Sequence, residues 1–218
     1  MLGSIEGRCV SSLQLWELLD NYPAINEKNE INYLGIAHGW AGILYATLLW
    51  CDQSTQKLPG NFMNRLEELQ RCMIQKDNLM KWPLSMSDKS SWTGWCNGSA
   101  GHVFLWSLLY KYFKDEKYSS IAVQTAEYVI QNSLNSINNL CCGLAGEAYS
   151  LANLYHITLE KRYIQEAQKI SQKILSQISL PALRNNSLYK GDLGLAVLFS
   201  EMGNPAMLQM PLFEIRSK

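Results

Sequence analysis

Hydrophobic positions along the chain alternate between two styles. Residues 42–51, 103–113 and 148–154 are apolar around most of a helical circumference, as buried helices are. Residues 118–134 and 163–178 place apolar side chains near 3.6 spacing instead. Within 164–178, Ala167, Ile170, Ile174 and Ile178 share one face, while Gln, Lys and Glu occupy the other. The first kind belongs inside and the second outside. Short charged turns, Lys114 to Lys117 and Glu160 to Arg162, join each pair into a helical hairpin. Strand signals are scarce, and Leu180-Pro181 and residues 82–95 read as loops. The prediction is an all-α chain of alternating inner and outer helices, an α/α toroid or solenoid.

Self-similarity supports the hairpins. A shift of 45 residues carries Gly98-Ser-Ala-Gly101 onto Gly143-Leu-Ala-Gly146, Leu109-Tyr110 onto Leu154-Tyr155, Tyr118 onto Tyr163 and Ala122 onto Ala167. Weaker copies of the Gly-rich head stand at Gly39 to Gly42 and at Gly191 to Gly194. The closing glycines are therefore spaced 59, 45 and 48 residues apart. Hairpins that cannot bury their own faces stack on their neighbours, and a fixed offset is the mark of such a stack.

Composition narrows the class. The chain has 218 residues, 47% hydrophobic and 17% charged, enough for one domain with a substantial core. With 19 Lys+Arg against 19 Asp+Glu, it lacks the basic excess of an electrostatic nucleic-acid binder. No apolar stretch reaches 18 uncharged residues, so no membrane span is expected. Gly3-Ser4 followed by Ile5-Glu6-Gly7-Arg8 looks like a protease-cleavage linker, or a chance match to one, and does not read as a secretory signal. The folded domain is expected over 9–218, in the cytoplasm. There the six cysteines would be reduced, and clustered thiols point to metal or catalysis.

Reactive residues fall on the heads. His38 lies in Gly35-Ile-Ala-His-Gly39, Cys96 in Trp95-Cys-Asn-Gly98, and Cys141-Cys142 precede Gly143. Each alone reads as a core residue. The 45-residue offset, however, sets Cys96 opposite Cys141 and Asn97 opposite Cys142. Adjacent heads then bring Cys96 close to the Cys141-Cys142 pair. Three converging thiolates with no fourth protein ligand suit a zinc ion with one open position. Cys51 and Cys72 read as packing residues, and His102 and His156 as ordinary helix residues.

These three ordered motifs resemble the signature of the lanthionine synthetase C-like cyclases, and Tyr189-Lys-Gly-Asp-Leu-Gly194 is similar to that family's last repeat head. The resemblance runs from about residue 33 to the end. It implies an α/α toroid, bound Zn2+, and closure of thioether rings in a dehydrated precursor peptide. A peptide Cys thiolate adds to dehydroalanine or dehydrobutyrine. By resemblance, Cys96 and Cys141 are metal ligands, and Cys142 stands where most members carry histidine, as in a branch of the two-domain synthetases. His38 matches a histidine thought to act as acid or base, here the donor of a proton to Cα after addition. The family's Arg before the first zinc cysteine is replaced, since Trp92 and Thr93 occupy that region.

Length complicates the picture. The family's ring has seven hairpins in about 400 residues by this resemblance, and only four heads are visible here. An unclosed arc is expected to leave apolar hairpin faces exposed. A partner chain supplying the remaining hairpins or the dehydratase would complete the machinery, and no dehydratase domain is expected in this chain. Two other classes compete. A sugar-processing toroid would need paired carboxylates, and the heads offer only Glu147 and Asp192. A non-catalytic scaffold that binds peptide or a partner chain would need no turnover at all.

Overall fold

A computed structural model describes residues 20–21, 23–25, 31–133, 137–178 and 186–214. The suspected linker, Cys9, Leu134 and Leu180-Pro181 lie outside the described residues. Among them the helices are α1 (Trp40–Ser54), α2 (Phe62–Arg71), α3 (Ser99–Phe113), α4 (Glu116–Asn132), α5 (Leu144–Thr158), α6 (Lys161–Gln177) and α7 (Asp192–Glu201), followed by a short 3-10 turn at Pro205–Met207. The fold is all-α with packed helix pairs. No described helix is long and apolar enough to cross a membrane.

Inner and outer roles follow the hydrophobic pattern. α3 and α5 are buried along most of their length, from Ser99 to Leu109 and from Leu144 to Leu154. α4 and α6 bury one face each, Tyr118, Ile121, Ala122, Thr125, Ala126 and Val129 in the first, and Tyr163, Ala167, Ile170 and Ile174 in the second. α1 packs on α3, α3 on α5 and α5 on α7, while α2, α4 and α6 back α1, α3 and α5.

The charged turns are shorter than the pattern predicts. α4 begins at Glu116 and α6 at Lys161, so Lys117 and Arg162 already belong to helices. The hairpins close through Lys114 and Leu159, both in the left-handed region at φ 57° and 59°, each N–H donating to the carbonyl four residues back, on Tyr110 or Tyr155. Asp115 supplies an N-cap to α4, its carboxylate accepting from the Lys117 N–H.

A short β-hairpin pairs β1 (Ile74–Lys76) with β2 (Leu79–Lys81), antiparallel, where no strand was expected. Its two-residue turn puts Asp77 and Asn78 at φ 51° and 61°, residues that tolerate this conformation better than most. Three-residue strands are too short for alternation to register as a pattern. β2 packs against α4.

Four ten-residue heads superpose in sequence: residues 33–42, 92–101, 137–146 and 185–194. In the first three, the helix N-terminus is capped by backbone of the preceding loop rather than by a side chain. Trp40, Ser99 and Leu144 donate their N–H groups to the carbonyls of Tyr33, Trp92 and Ile137, and Ala41, Ala100 and Ala145 donate to Leu34, Thr93 and Asn138. The loop must therefore fold flat onto the helix. At the closing glycine of the second head, a Cβ on Gly101 would stand 2.2 Å from the Trp95 carbonyl, which is why this position has no side chain.

Successive heads are stitched by a ladder. The N–H of Ala37 donates to the Cys96 carbonyl, that of Cys96 to the Cys141 carbonyl and that of Cys141 to the Tyr189 carbonyl, each at 2.8 Å. The rungs carry the same 59, 45 and 48 residue intervals as the closing glycines.

Part of the inner face of the arc is covered, while Trp50 of α1 and Leu193 of α7 stay about half-exposed. After α7 the chain turns back across it. Leu208 and Met210 are fully buried, and the Phe213 ring stacks on Tyr45 of α1 at 4.6 Å and meets Trp95 and Phe104 edge-on at 5.2 and 5.3 Å. Tyr189 Oη donates to the Pro211 carbonyl, and His156 Nε2 bonds the Pro205 carbonyl.

Candidate metal centre

The ladder sets Cys96 and Cys141 at equivalent places in neighbouring heads, and Cys142 follows with its sulfur beside that of Cys96. Cys96 Sγ lies 3.3 Å from Cys142 Sγ, Cys142 Sγ lies 3.3 Å from Cys141 Sγ, and all three sulfurs fall within 4.8 Å of one another. Cys141 is buried and the other two are half-buried. The approach depends on Gly94, because a Cβ there would stand 2.7 Å from the Cys142 carbonyl oxygen. Asn139 Oδ1 accepts from the Cys142 N–H at 2.9 Å and holds the second loop in shape.

Electrostatics at the centre favour one anionic sulfur among the three. Cys96 and Cys142 end just before α3 and α5, whose N-termini present partial positive charge. The three thiols share protons unequally. Hydrogen bonding from Cys96, then from Cys142, with the nearby charges of Lys190 and His38, pushes the Cys141 thiol down to about 6. Its partner Cys96 is pushed far up by that same bond and by burial, and Cys142 is raised chiefly by burial. One thiolate is readily formed and the other two wait for a cation.

The donor set fits zinc. Sulfurs bound at about 2.3 Å in tetrahedral geometry stand roughly 3.8 Å apart, so separations of 3.3 Å need only a small outward movement. Soft thiolates select zinc over magnesium or calcium, and three of them leave one position open. Among the described residues this is the one cluster of three or more metal-ligating side chains.

A cavity of about 410 Å³ opens above two of the sulfurs. Its walls include Tyr33, His38, Leu84, Trp92, Cys96 and Cys142, with Gly94, Asn97 and Gly98, so none of the described residues that line it is Lys, Arg, Asp or Glu. His38 is solvent-exposed on the first head, and its ring lies 6.4 Å from that of Tyr33. The structure thus brings all four sequence-derived residues to one place.

Other candidates fall elsewhere. His102 is buried and stacked on Trp82 at 4.2 Å, and burial pushes its pKa down to about 3, so it stays neutral. His156 serves the C-terminal segment. Cys51 is buried with Sγ against the Lys57 carbonyl, and Cys72 caps the end of α2, its thiol raised by burial. Glu147 is sequestered from the cavity, accepting from Thr93 Oγ1 at 2.6 Å and from Ser133 Oγ.

Sequence reasoning overlooked three positioning residues. Asn97 Oδ1 accepts from the Gly35 N–H at 2.8 Å and its amide reaches the Leu84 carbonyl, tying the His38 loop to the 82–95 loop. Tyr33 and Trp92 form the cavity mouth. The offset of 59 residues between them equals the interval between the first two heads, a signal available in the chain.

An arc of helical hairpins with a three-cysteine cluster at its head end defines an α/α protein built around a candidate thiolate metal site. The family model described as lanthionine synthetase C-like protein matches residues 14–211, and the chain belongs to that family. Similar curated proteins include glutathione S-transferase LANCL1 of Danio rerio, 25% identical over 210 residues that make up 91% of this chain and 50% of that protein. LanC-like protein GCL1 of Arabidopsis thaliana is 22% identical over 204 residues, 88% of this chain and 46% of its own length. The chain therefore spans about half the length of these relatives.

Proposed function

We propose that this chain is the metal-bearing part of a zinc-dependent cyclase that forms lanthionine or methyllanthionine thioethers in a dehydrated precursor peptide. The observation that carries the reading is the convergence of Cys96, Cys141 and Cys142 within 4.8 Å beside a cavity walled by His38.

Cys96, Cys141 and Cys142 would hold Zn2+, whose Lewis acidity keeps a substrate thiol deprotonated at neutral pH. Three protein thiolates would make a zinc site there net negative, which would leave a substrate sulfur loosely held and nucleophilic. That sulfur forms a bond to Cβ of a dehydroalanine or dehydrobutyrine, the Cα=Cβ π pair moves toward the carbonyl, and Cα then takes a proton. His38, exposed on the cavity wall, supplies that proton and recovers one from solvent. No electron acceptor is needed, because the addition is redox-neutral.

A second reading shares the same chemistry. The Danio rerio relative is named a glutathione S-transferase, and glutathione also presents a cysteine thiol for addition to an electrophile. The remaining hairpins of a closed ring, on another stretch of polypeptide, would meet the half-exposed Trp50 of α1 and Leu193 of α7. The dehydratase would act before this site.

Metal analysis and turnover test the reading together. About one zinc per chain is expected, lost in Cys142→Ala, and the zinc form is expected to consume the thiol of a dehydrated, Cys-containing peptide once the rest of the ring is supplied. Absence of zinc from a folded helical chain would overturn the reading.

A further inference from the structure

The residue six positions before the N-cap glycine is Tyr33, Trp92 and Ile137 in three successive heads. All three are large, apolar and outward-facing, with 49%, 52% and 41% of their surface exposed. Their backbones are held firmly. Each carbonyl caps the helix behind it, Tyr33 also bridges Gly39 and Ser85, and the Trp92 carbonyl packs against Gly98. A fold that fixes the backbone so tightly and turns the side chain to water has built an exposed row that costs little further entropy to use. Two members of the row, Tyr33 and Trp92, flank the cavity that reaches Cys96 and Cys142.

The cavity's charge decides what that row would take. Glutathione carries two carboxylates and an ammonium group, and burying them without partners is costly. Among the described residues no Lys, Arg, Asp or Glu lines the cavity, and Lys190, whose charge acts on Cys141 and Cys142, is not part of that lining. The walls instead offer an indole, a phenol ring and Leu84, with the His38 imidazole and the Asn97 amide as their polar side chains apart from the cysteines.

We infer that Tyr33 and Trp92 form an apolar clamp that selects peptides with a bulky apolar side chain next to the reacting cysteine, over small polar thiols. The inference rests on the proposed thiol-binding function. It assigns substrate choice to two residues outside the proposed ligand set, and it places Ile137 as the continuation of the track for residues further from the cysteine.

The test is binding of capped pentapeptides to the zinc-loaded chain by calorimetry. The probes are Gly-Gly-Cys-Gly-Gly, Gly-Leu-Cys-Leu-Gly, Gly-Phe-Cys-Phe-Gly, their Cys→Ser counterparts, and glutathione. The Leu and Phe peptides are expected to bind about tenfold more tightly than the Gly peptide, and glutathione more weakly than either. Trp92→Ala and Tyr33→Ala should each remove most of that preference, weakening the Leu and Phe peptides several-fold more than the Gly peptide, while Trp92→Phe restores it. Circular dichroism and zinc content verify that the variants keep their fold and metal. Equal affinity for Gly and Leu peptides, or a preference that survives both alanine variants, would overturn the clamp even where Cys peptides still outbind Ser peptides. If Cys and Ser peptides bind alike while the Leu preference and its dependence on Trp92 persist, the clamp stands and the thiol reading fails. No binding of any peptide overturns both.

Discussion

Thr93 and Glu147, 54 residues apart, join the loop that carries Cys96 to the first turn of α5, just after Cys142: Thr93 Oγ1 donates to Glu147 Oε1 at 2.6 Å. Thr93 stands three residues before Cys96, and Glu147 five after Cys142. The same carboxylate accepts from Ser133 Oγ, and Lys173 Nζ donates to the Ser133 carbonyl, so the outer helix α6 is tied into the arrangement. Burial raises the Glu147 pKa against the opposing pull of these bonds.

Breaking this tie should loosen the sulfur cluster. Glu147→Ala strands two half-buried donors and is expected to cost about 1 to 2 kcal/mol of stability, with weaker zinc retention against a chelator. Thr93→Val should show a smaller loss in both. Chemical denaturation and competitive chelation read the two effects, and unchanged zinc retention in Glu147→Ala would remove the positioning role.

Gly94→Ala should act on the metal more than on the fold. The new Cβ would stand 2.7 Å from the Cys142 carbonyl oxygen and 3.0 Å from its Cα, forcing the Cys142 loop away from Cys96. Zinc affinity is expected to fall by about tenfold or more, measured by competition with a chromogenic chelator, in a chain that keeps its helical circular dichroism.

Cysteine substitutions should separate ligands from packing. Cys96→Ala, Cys141→Ala and Cys142→Ala are each expected to lose bound zinc, while Cys51→Ala keeps it at a cost of about 1 kcal/mol in stability. Metal content by elemental analysis decides, and zinc retained in Cys142→Ala would contradict the three-thiolate site.

The C-terminal segment brings a buried acid against the inner helices. Glu214 accepts from Asn153 Nδ2 and the Met210 N–H, both at 2.6 Å, with Glu201, Lys111 and Tyr45 acting on it. Burial, first of all, pushes its pKa from the ordinary 4.5 up to about 7. A folded carboxyl that holds its proton more tightly than the unfolded one stabilises fully below pH 4.5, and that contribution is lost as pH rises through 7. His102 acts oppositely: its depressed pKa gives stability above about 6.5 that is lost as pH falls toward 3. The two slopes oppose each other between about pH 4.5 and 6.5. Glu214→Gln is therefore expected to make stability rise more steeply with pH across that window, as followed by denaturant midpoints, and an unchanged profile would rule this out.

Phe213→Ala should show that the same segment is structural. Removing a ring packed on Tyr45, Trp95 and Phe104 is expected to cost about 2 to 3 kcal/mol. Thermal denaturation measures it, and a neutral substitution would mean that the segment does not contribute to the core.

The hairpin order, the division into inner and outer helices, and the pairing of Cys96 with Cys141 were all legible in the chain. Periodicity and repeat offset are local, additive signals, and a stack of like units converts offset directly into spatial register. The β-hairpin at Ile74–Lys76 and Leu79–Lys81 escaped because three-residue strands carry no readable alternation. The cover over the inner face escaped for a different reason: Phe213 is one apolar residue in a short irregular stretch, and its partners lie on α1, on α3 and at Trp95.

By itself the sequence determined an all-α arc of hairpins, its family resemblance, and which thiols stand at equivalent repeat positions. Only the tertiary structure decided that the sulfurs come to 3.3 Å, that His38, Tyr33 and Trp92 share one cavity with them, and that Glu147 is a tie rather than a free acid. Repeat register is written in spacing along the chain. Which way a side chain faces is set by the backbone bonds and close contacts between loops that spacing does not encode.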